Sequence, residues 1–153
     1  MKTWSNGIAS RPEDHAAKVQ LSQSVMDGAR GQELRALGVD GVFSFESSDD
    51  LFFPSVAAAP VCDLDPMTNV AIAFPRSPWH LANAAYDLQE LSGGRFRLGL
   101  GKQVKAHVEK RFGREFGRPV AHMREWVLAI KAILADLTAA LEAASATTGS
   151  AQR

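Results

Sequence analysis

The stretch that decides the fold is LSGGRFRLGLGKQ, residues 91–103. Gly93 and Gly94 close a long helical pattern, because the left-handed position after a last helical turn favours glycine. Residues then alternate at the strand period of two, with Phe96, Leu98 and Leu100 on one face and Arg97, Gly99 and Gly101 on the other. The segment therefore predicts a helix followed by a strand whose bare glycine face lets a ligand or another backbone come close.

Strand and helix patterns alternate on both sides of this segment. Strands are predicted at residues 19–24, 38–46, 67–75 and 95–100, and helices at residues 29–37, 55–63, 77–91, 104–111 and 120–134. The third strand is almost wholly apolar, as expected for a parallel strand covered on both faces. Trp126 belongs to the apolar stripe of the last helix and is predicted to lie in the core. The alternation is typical of a parallel α/β fold, which can be half a barrel or an open sheet.

Composition divides the chain into three parts. Residues 1–17 are polar and predict a flexible extension, whereas residues 18–135 predict one domain. Residues 136–153 are rich in Ala, Ser and Thr and predict a tail that is disordered or a frayed helix.

Charge and hydropathy exclude several classes of function. The 17 basic and 17 acidic residues give a formal net charge of zero, which argues against a nucleic-acid-binding protein. No stretch reaches the roughly 18 apolar residues of a membrane span, and the first residues lack the apolar core of a secretory signal. We therefore expect a cytoplasmic protein. Cys62 is the single cysteine, so no disulfide within the chain is predicted. The spacing of the histidines matches no metal-binding pattern, so no metal site is predicted.

Three segments, taken in order, resemble one enzyme family. They are ALGVDGVFSFESSDD at residues 36–50, TNVAIAFPRSPWHLANAAYDLQELSGGRFRLGLG at 68–101 and KAHVEKRFGREFGRPVAHMREWVLAIKAIL at 105–134. Together they resemble the luciferase-like monooxygenase family over about residues 19–134, and the third resembles its deazaflavin-dependent branch. The tail after residue 135 shows no such resemblance.

The resemblance implies a fold and a chain length. Members of the family are flavin or deazaflavin oxidoreductases built on a TIM (β/α)8 barrel, which needs about 250 residues. A chain of 153 residues is therefore expected to form the N-terminal half of such a barrel, with about four parallel strands alternating with helices.

The resemblance also implies where a cofactor binds, at the carboxyl ends of the strands. It places three groups of residues there: Glu46 after the second strand; Ala73, Phe74 and Pro75 at the end of the third, where relatives often have a bulge or a non-proline cis peptide; and Gly99, Gly101 and Gln103 at the end of the fourth. The expected cofactor is the deazaflavin coenzyme F-420, with FMN as the alternative.

Each of these assignments has a plainer alternative. Glu46 is either a group that binds the cofactor or substrate, or a solvated carboxylate beside Asp49 and Asp50. Gly99 and Gly101 either leave room for the cofactor or allow close packing within the protein.

Histidines are the other candidates for catalysis, since imidazole titrates near neutral pH. By the resemblance His107 lies near the cofactor and is the candidate catalytic residue together with Glu46. His15 and His122 are predicted to be structural or exposed, and His80 is predicted to be a surface residue or one that contacts the site residues rather than the ligand. The basic residues between positions 102 and 114 could hold a phosphate, although interspersed acids favour a solvated face.

The expected function is hydride transfer between the cofactor and a small-molecule substrate, in a barrel completed by self-association or by a complementary half-barrel. One alternative is a catalytically inactive half-barrel that acts as an assembly module. The other is an unrelated small α/β binding domain.

Overall fold

The structure is a computed structural model that describes residues 28–46 and 50–150. Its elements, in chain order, are α1 (Gly28–Ala36), β1 (Gly41–Ser44), α2 (Phe53–Ala58), β2 (Asp65–Thr68), β3 (Ala71–Ile72), α3 (Pro78–Leu91), β4 (Leu100–Gly101), α4 (Lys105–Lys110) and α5 (Pro119–Ser150). The predicted first strand at residues 19–24 and the predicted extension at residues 1–17 lie outside the described residues.

The described residues form two compact units. The first comprises residues 28–46, 50–72 and 87–101, and the second comprises residues 73–86 and 102–150. All the strands belong to the first unit, where β1 pairs with β2 and β3 pairs with β4, both in parallel. Parallel pairing between elements separated by helices is the arrangement that the alternating pattern predicted.

The predicted third strand is shorter than its apolar run and is divided in two. Residues 67–75 were predicted as one strand, but strand pairing ends at Thr68 and resumes only at Ala71–Ile72. The Asn69–Val70 peptide bond between these strands is cis. Ala73–Pro75 lie beyond the strand because the Arg76 N–H donates to the Ala73 carbonyl at 3.0 Å and closes a turn there.

The predicted fourth strand is also displaced, from residues 95–100 to a bridge at Arg97 and the pair Leu100–Gly101. The reason is Ser92, whose side-chain oxygen accepts the backbone N–H groups of Arg95 (3.2 Å) and Phe96 (2.9 Å). These two N–H groups are therefore committed to the end of α3 and do not join the sheet.

The last helix is longer than predicted. The apolar stripe predicted an end at Leu134, but α5 continues to Ser150. Alanine has the highest intrinsic helix propensity, so the Ala-rich sequence continues the helix without large apolar residues. Within the described residues, no helix is both long enough and apolar enough to cross a membrane.

The first unit has a small core between its helices and its first sheet. Buried Ala58, Cys62 and Leu64 form its centre, with Leu34, Val39 and Val42 packed against them. Arg95 fixes the segment that leads from α2 to β2. Its guanidinium donates to the carbonyl oxygens of Ala59 (3.0 Å), Cys62 (3.1 Å) and Leu64.

Thr68 holds the two halves of the interrupted third strand to the fourth strand. Its side chain is fully buried, and its Oγ1 donates to the Gly99 carbonyl at 2.8 Å while accepting the Gly99 N–H at 2.9 Å. The Thr68 N–H bonds the Arg97 carbonyl at 3.2 Å, and the Ala71 N–H bonds the Gly99 carbonyl at 2.8 Å. One hydroxyl therefore satisfies backbone groups at the point where the ladder is interrupted.

We expect Thr68→Val to lower the free energy of unfolding by about 2–3 kcal/mol. Valine keeps the shape but leaves the Gly99 N–H without its buried acceptor, and a lost partner of this kind costs about 1–3 kcal/mol. Urea unfolding measures the change. Thr138→Val is the matched control, because the Thr138 hydroxyl only bonds the Leu134 carbonyl of its own helix and is exposed. Equal effects of the two substitutions would contradict the role of Thr68.

Candidate functional site

The first unit places one predicted catalytic residue at the ends of its strands. Glu46 lies two residues beyond β1 and is half-buried. Its Oε2 accepts the N–H of Ile72, the last residue of β3, at 3.4 Å. The carboxylate is therefore held at the carboxyl end of a parallel strand, which favours an ordered group over a freely solvated one.

Neighbouring contacts fix the backbone that leads to Glu46. The Ser44 carbonyl accepts the N–H of Asn69 at 2.8 Å, and the Ser44 hydroxyl donates to the Leu51 carbonyl at 2.6 Å. Ser44 is thus bonded on both sides just before the chain reaches Glu46. The end of β1, the start of the cis Asn69–Val70 peptide and the end of β3 are connected through these hydrogen bonds.

The bare glycine face is occupied by the protein itself. A methyl group on Gly99 would overlap the carbonyl oxygen of Thr68, and one on Gly101 would overlap the side chain of Val70. The structure therefore shows close packing of the interrupted third strand against these two glycines. Their assignment as cofactor-binding residues stays a prediction. The space beside their Cα atoms, where a side chain would lie, is filled by Thr68 and Val70.

In the second unit, Gln103 and His107 have separate surroundings. Gln103 has a positive φ of 61°, and its side-chain oxygen accepts the N–H of Val104 at 2.9 Å just before α4. That oxygen is therefore bonded locally, to the residue just before α4. His107 lies on α4 with an exposed side chain. No described contact joins these two predicted site residues.

Ala73, Phe74 and Pro75 follow β3 directly, and Phe74 belongs to an aromatic cluster of the second unit. The Phe74 ring stacks on His122 with centroids 4.3 Å apart, and it meets Phe116 and Trp126 edge-on at 5.9 and 6.3 Å. Phe74 is consequently only 4% exposed. Sequence reasoning missed this cluster, although a tryptophan in an apolar stripe signals that its N–H needs a partner.

Within residues 28–46 and 50–150, no three His, Cys, Asp or Glu side chains form a group that could hold a metal ion. The polar group described at the strand ends is the Glu46 carboxylate, which accepts the Ile72 N–H. A hydrogen-bond acceptor is the kind of group that could bind a ring N–H of an isoalloxazine or deazaflavin. Glu46 is the residue that could accept from that N–H.

A pair of substitutions can test the packing of Val70 against Gly101. We expect Gly101→Ala to cost about 1–3 kcal/mol of stability, because overpacking forces neighbours to move. Adding Val70→Ala removes the obstructing methyl groups, so the pair should show a favourable coupling of at least about 1 kcal/mol in a urea-unfolding double-mutant cycle. Additive effects would argue against packing.

Comparison with known proteins identifies the family. The model of the luciferase-like monooxygenase family matches residues 28–149. The chain belongs to this family. The match confirms the resemblance drawn from the sequence and extends it beyond residue 134, through the Ala-rich part of α5 that had been predicted to lack it.

Two curated relatives in Mycobacterium tuberculosis share part of this sequence. An uncharacterised protein is 46% identical over 97 residues, which are 63% of this chain and 28% of the relative. A protein whose name describes a coenzyme F420-dependent oxidoreductase is 38% identical over 68 residues, or 44% of this chain and 20% of the relative. The luciferase-like chain thus spans less than a third of either relative.

Two solved structures share the fold. The monooxygenase RslO1 of Streptomyces bottropensis has a TM-score of 0.65 at 21% identity, over 85% of this chain and 42% of its own. The FMN-bound oxygenating constituent of 3,6-diketocamphane monooxygenase from Pseudomonas putida has a TM-score of 0.63 at 15% identity, over 87% and 39%. These matches and the parallel strands confirm the predicted fold class, part of an α/β barrel.

Proposed function

We propose that this luciferase-like chain contributes to an oxidoreductase that transfers a hydride between a small-molecule substrate and coenzyme F-420, with FMN as the alternative cofactor. The observation that carries the proposal is the Glu46 carboxylate, held at the end of β3 by the Ile72 N–H. Family membership supports the reaction class, and a relative whose name describes F420-dependence supports the deazaflavin. The free, buried Cys62 fits a reducing compartment such as the cytoplasm.

In this proposal Glu46 orients the cofactor and takes no proton. Its carboxylate accepts a hydrogen bond from the ring while Ile72 keeps the carboxylate in place. The bound deazaflavin or flavin supplies the hydride chemistry, and the protein supplies position and electrostatics. Gly99, Gly101, Ala73, Phe74, Pro75 and Gln103 remain proposed cofactor contacts, and His107 remains a proposed catalytic residue.

Cofactor titration with a Glu46 variant tests the proposal. We expect the wild-type protein to bind F-420 or FMN, with binding measured by the fluorescence of the cofactor. Glu46→Gln should raise the dissociation constant about tenfold or more. A hydrogen bond to a charged group contributes about 1.5–3 kcal/mol. The glutamine oxygen can still accept the Ile72 N–H, so the fold should survive.

Glu90→Gln is the control, because Glu90 is an exposed carboxylate on α3. Urea unfolding of all three proteins shows whether they are equally folded. Binding of F-420 but not of FMN would assign the chain to the deazaflavin branch. No binding of either coenzyme at high micromolar concentration would contradict the proposed function.

A second proposal concerns assembly, because α5 exposes large apolar side chains. Val120 is 81% exposed, Leu128 49% and Leu141 48%. A contiguous exposed apolar patch marks a surface that binds another protein segment, and the proposal is that these side chains contribute to such a patch. We propose that the chain associates through α5 with a second copy of itself or with a complementary half-barrel. The assembly is either an active enzyme or a catalytically inactive module.

Light scattering after gel filtration tests self-association. We expect the wild-type protein to form a dimer or larger oligomer, and Leu141→Lys to weaken it about tenfold or more, since burying a leucine contributes about 1.5–3 kcal/mol. Ala140→Lys is the control, as it adds the same charge at an exposed neighbouring position. A wild-type monomer at every concentration would exclude self-association and leave the complementary half-barrel.

A further inference from the structure

The segment that follows β3 is fixed by a side chain from a distant helix. The indole Nε1–H of Trp126 lies 3.0 Å from the Ala73 carbonyl oxygen and 3.1 Å from the Arg76 carbonyl oxygen. The Arg76 N–H donates to the same Ala73 carbonyl at 3.0 Å. A turn of four residues is therefore closed by its own hydrogen bond and held by an indole 50 residues further along the chain.

The ring at the centre of this turn is held as well. His122 lies one helical turn before Trp126 on α5, so that both side chains project from the same face. The imidazole stacks on Phe74 at 4.3 Å with planes 19° apart, and it meets the Trp126 ring edge-on at 4.2 Å. Phe116 approaches Phe74 from another side, with Lys102 Nζ lying 5.3 Å from the Phe116 centroid. We call Phe74, Phe116, His122 and Trp126 the aromatic clasp.

The clasp does more than fill space. A core position would accept any large apolar side chain, but only an indole brings an N–H to two backbone carbonyls while keeping an aromatic face toward Phe74. Trp126 is itself only half-buried, so burial alone gives a weak reason for tryptophan here. Its hydrogen bonds act on backbone atoms of Ala73 and Arg76, which bracket Phe74 and Pro75, two of the six residues predicted to bind the cofactor.

We propose that Trp126 is a positioning residue, which fixes the backbone of residues 73–76 through its indole N–H so that this segment has its binding shape before the cofactor arrives. A segment ordered in advance loses less conformational freedom on binding, which strengthens affinity without a new contact. The link to the cofactor rests on the proposed function, whereas the positioning of the turn does not.

Hydrogen exchange followed by NMR tests the positioning. In the wild-type protein, the indole N–H of Trp126 should exchange at least about tenfold more slowly than that of Trp79, because an intramolecular hydrogen bond must open first. Trp79 is the matched control, since its side chain is 55% exposed in the first turn of α3. Trp126→Phe and Trp79→Phe identify the two indole signals by their disappearance.

The same variants test the effect on the turn. Trp126→Phe keeps an aromatic ring but removes the N–H, and it should speed exchange of the Arg76 amide about tenfold, whereas Trp79→Phe should leave that rate unchanged. An unprotected Trp126 indole, or an Arg76 amide that exchanges as in the wild type, would overturn the proposal. If Trp126→Phe does not fold, the wild-type indole comparison decides alone.

Cofactor affinity separates this proposal from the proposed function. Trp126→Phe should raise the dissociation constant for F-420 or FMN about tenfold, and Trp79→Phe should not. If the wild-type protein binds neither coenzyme, the proposed function fails while hydrogen exchange still decides the positioning. A loosened turn with unchanged affinity would overturn the link between residues 73–76 and the cofactor.

Discussion

The hydroxyl of Thr68 is the interaction on which the described sheet structure depends. A parallel strand that is interrupted leaves backbone groups on its neighbour without partners, and buried groups of this kind are costly. Thr68 Oγ1 bonds both the N–H and the carbonyl of Gly99 across the interruption. This side chain replaces the part of the ladder that is missing before β3, and the direct pairing of β3 with β4 then continues to Ile72, whose N–H holds Glu46.

The same contact explains the glycines of the fourth strand. Because the hydroxyl draws the two backbones together, no room remains for a side chain at Gly99, and the neighbouring Val70 fills the space at Gly101. The pattern of alternating glycines predicted a close approach correctly. It could not tell which group approaches, because a backbone carbonyl and a ligand both require the same absence of a side chain.

Sequence reasoning succeeded where the signal is periodic and local. The helices and the order of elements follow from apolar spacing, and the family assignment from three segments in succession. It failed at strand ends, because the side chain of Ser92 competes for backbone donors and Thr68 substitutes for a ladder bond. Neither role is visible in a β-favouring run. The placement of Glu46 after a strand was predicted, but its Ile72 partner and the role of Trp126 depend on contacts between residues 26 and 53 positions apart.

Arg95 has a consequence for how the sequence of this fold can vary. Its guanidinium reaches three carbonyl oxygens between Ala59 and Leu64, and it touches that segment through main-chain atoms that every amino acid carries. The anchor is therefore indifferent to the identity of the residues it holds. Substitution in the connection between α2 and β2 is limited instead by the burial of Ala59, Cys62 and Leu64, whose side chains must still fit the core.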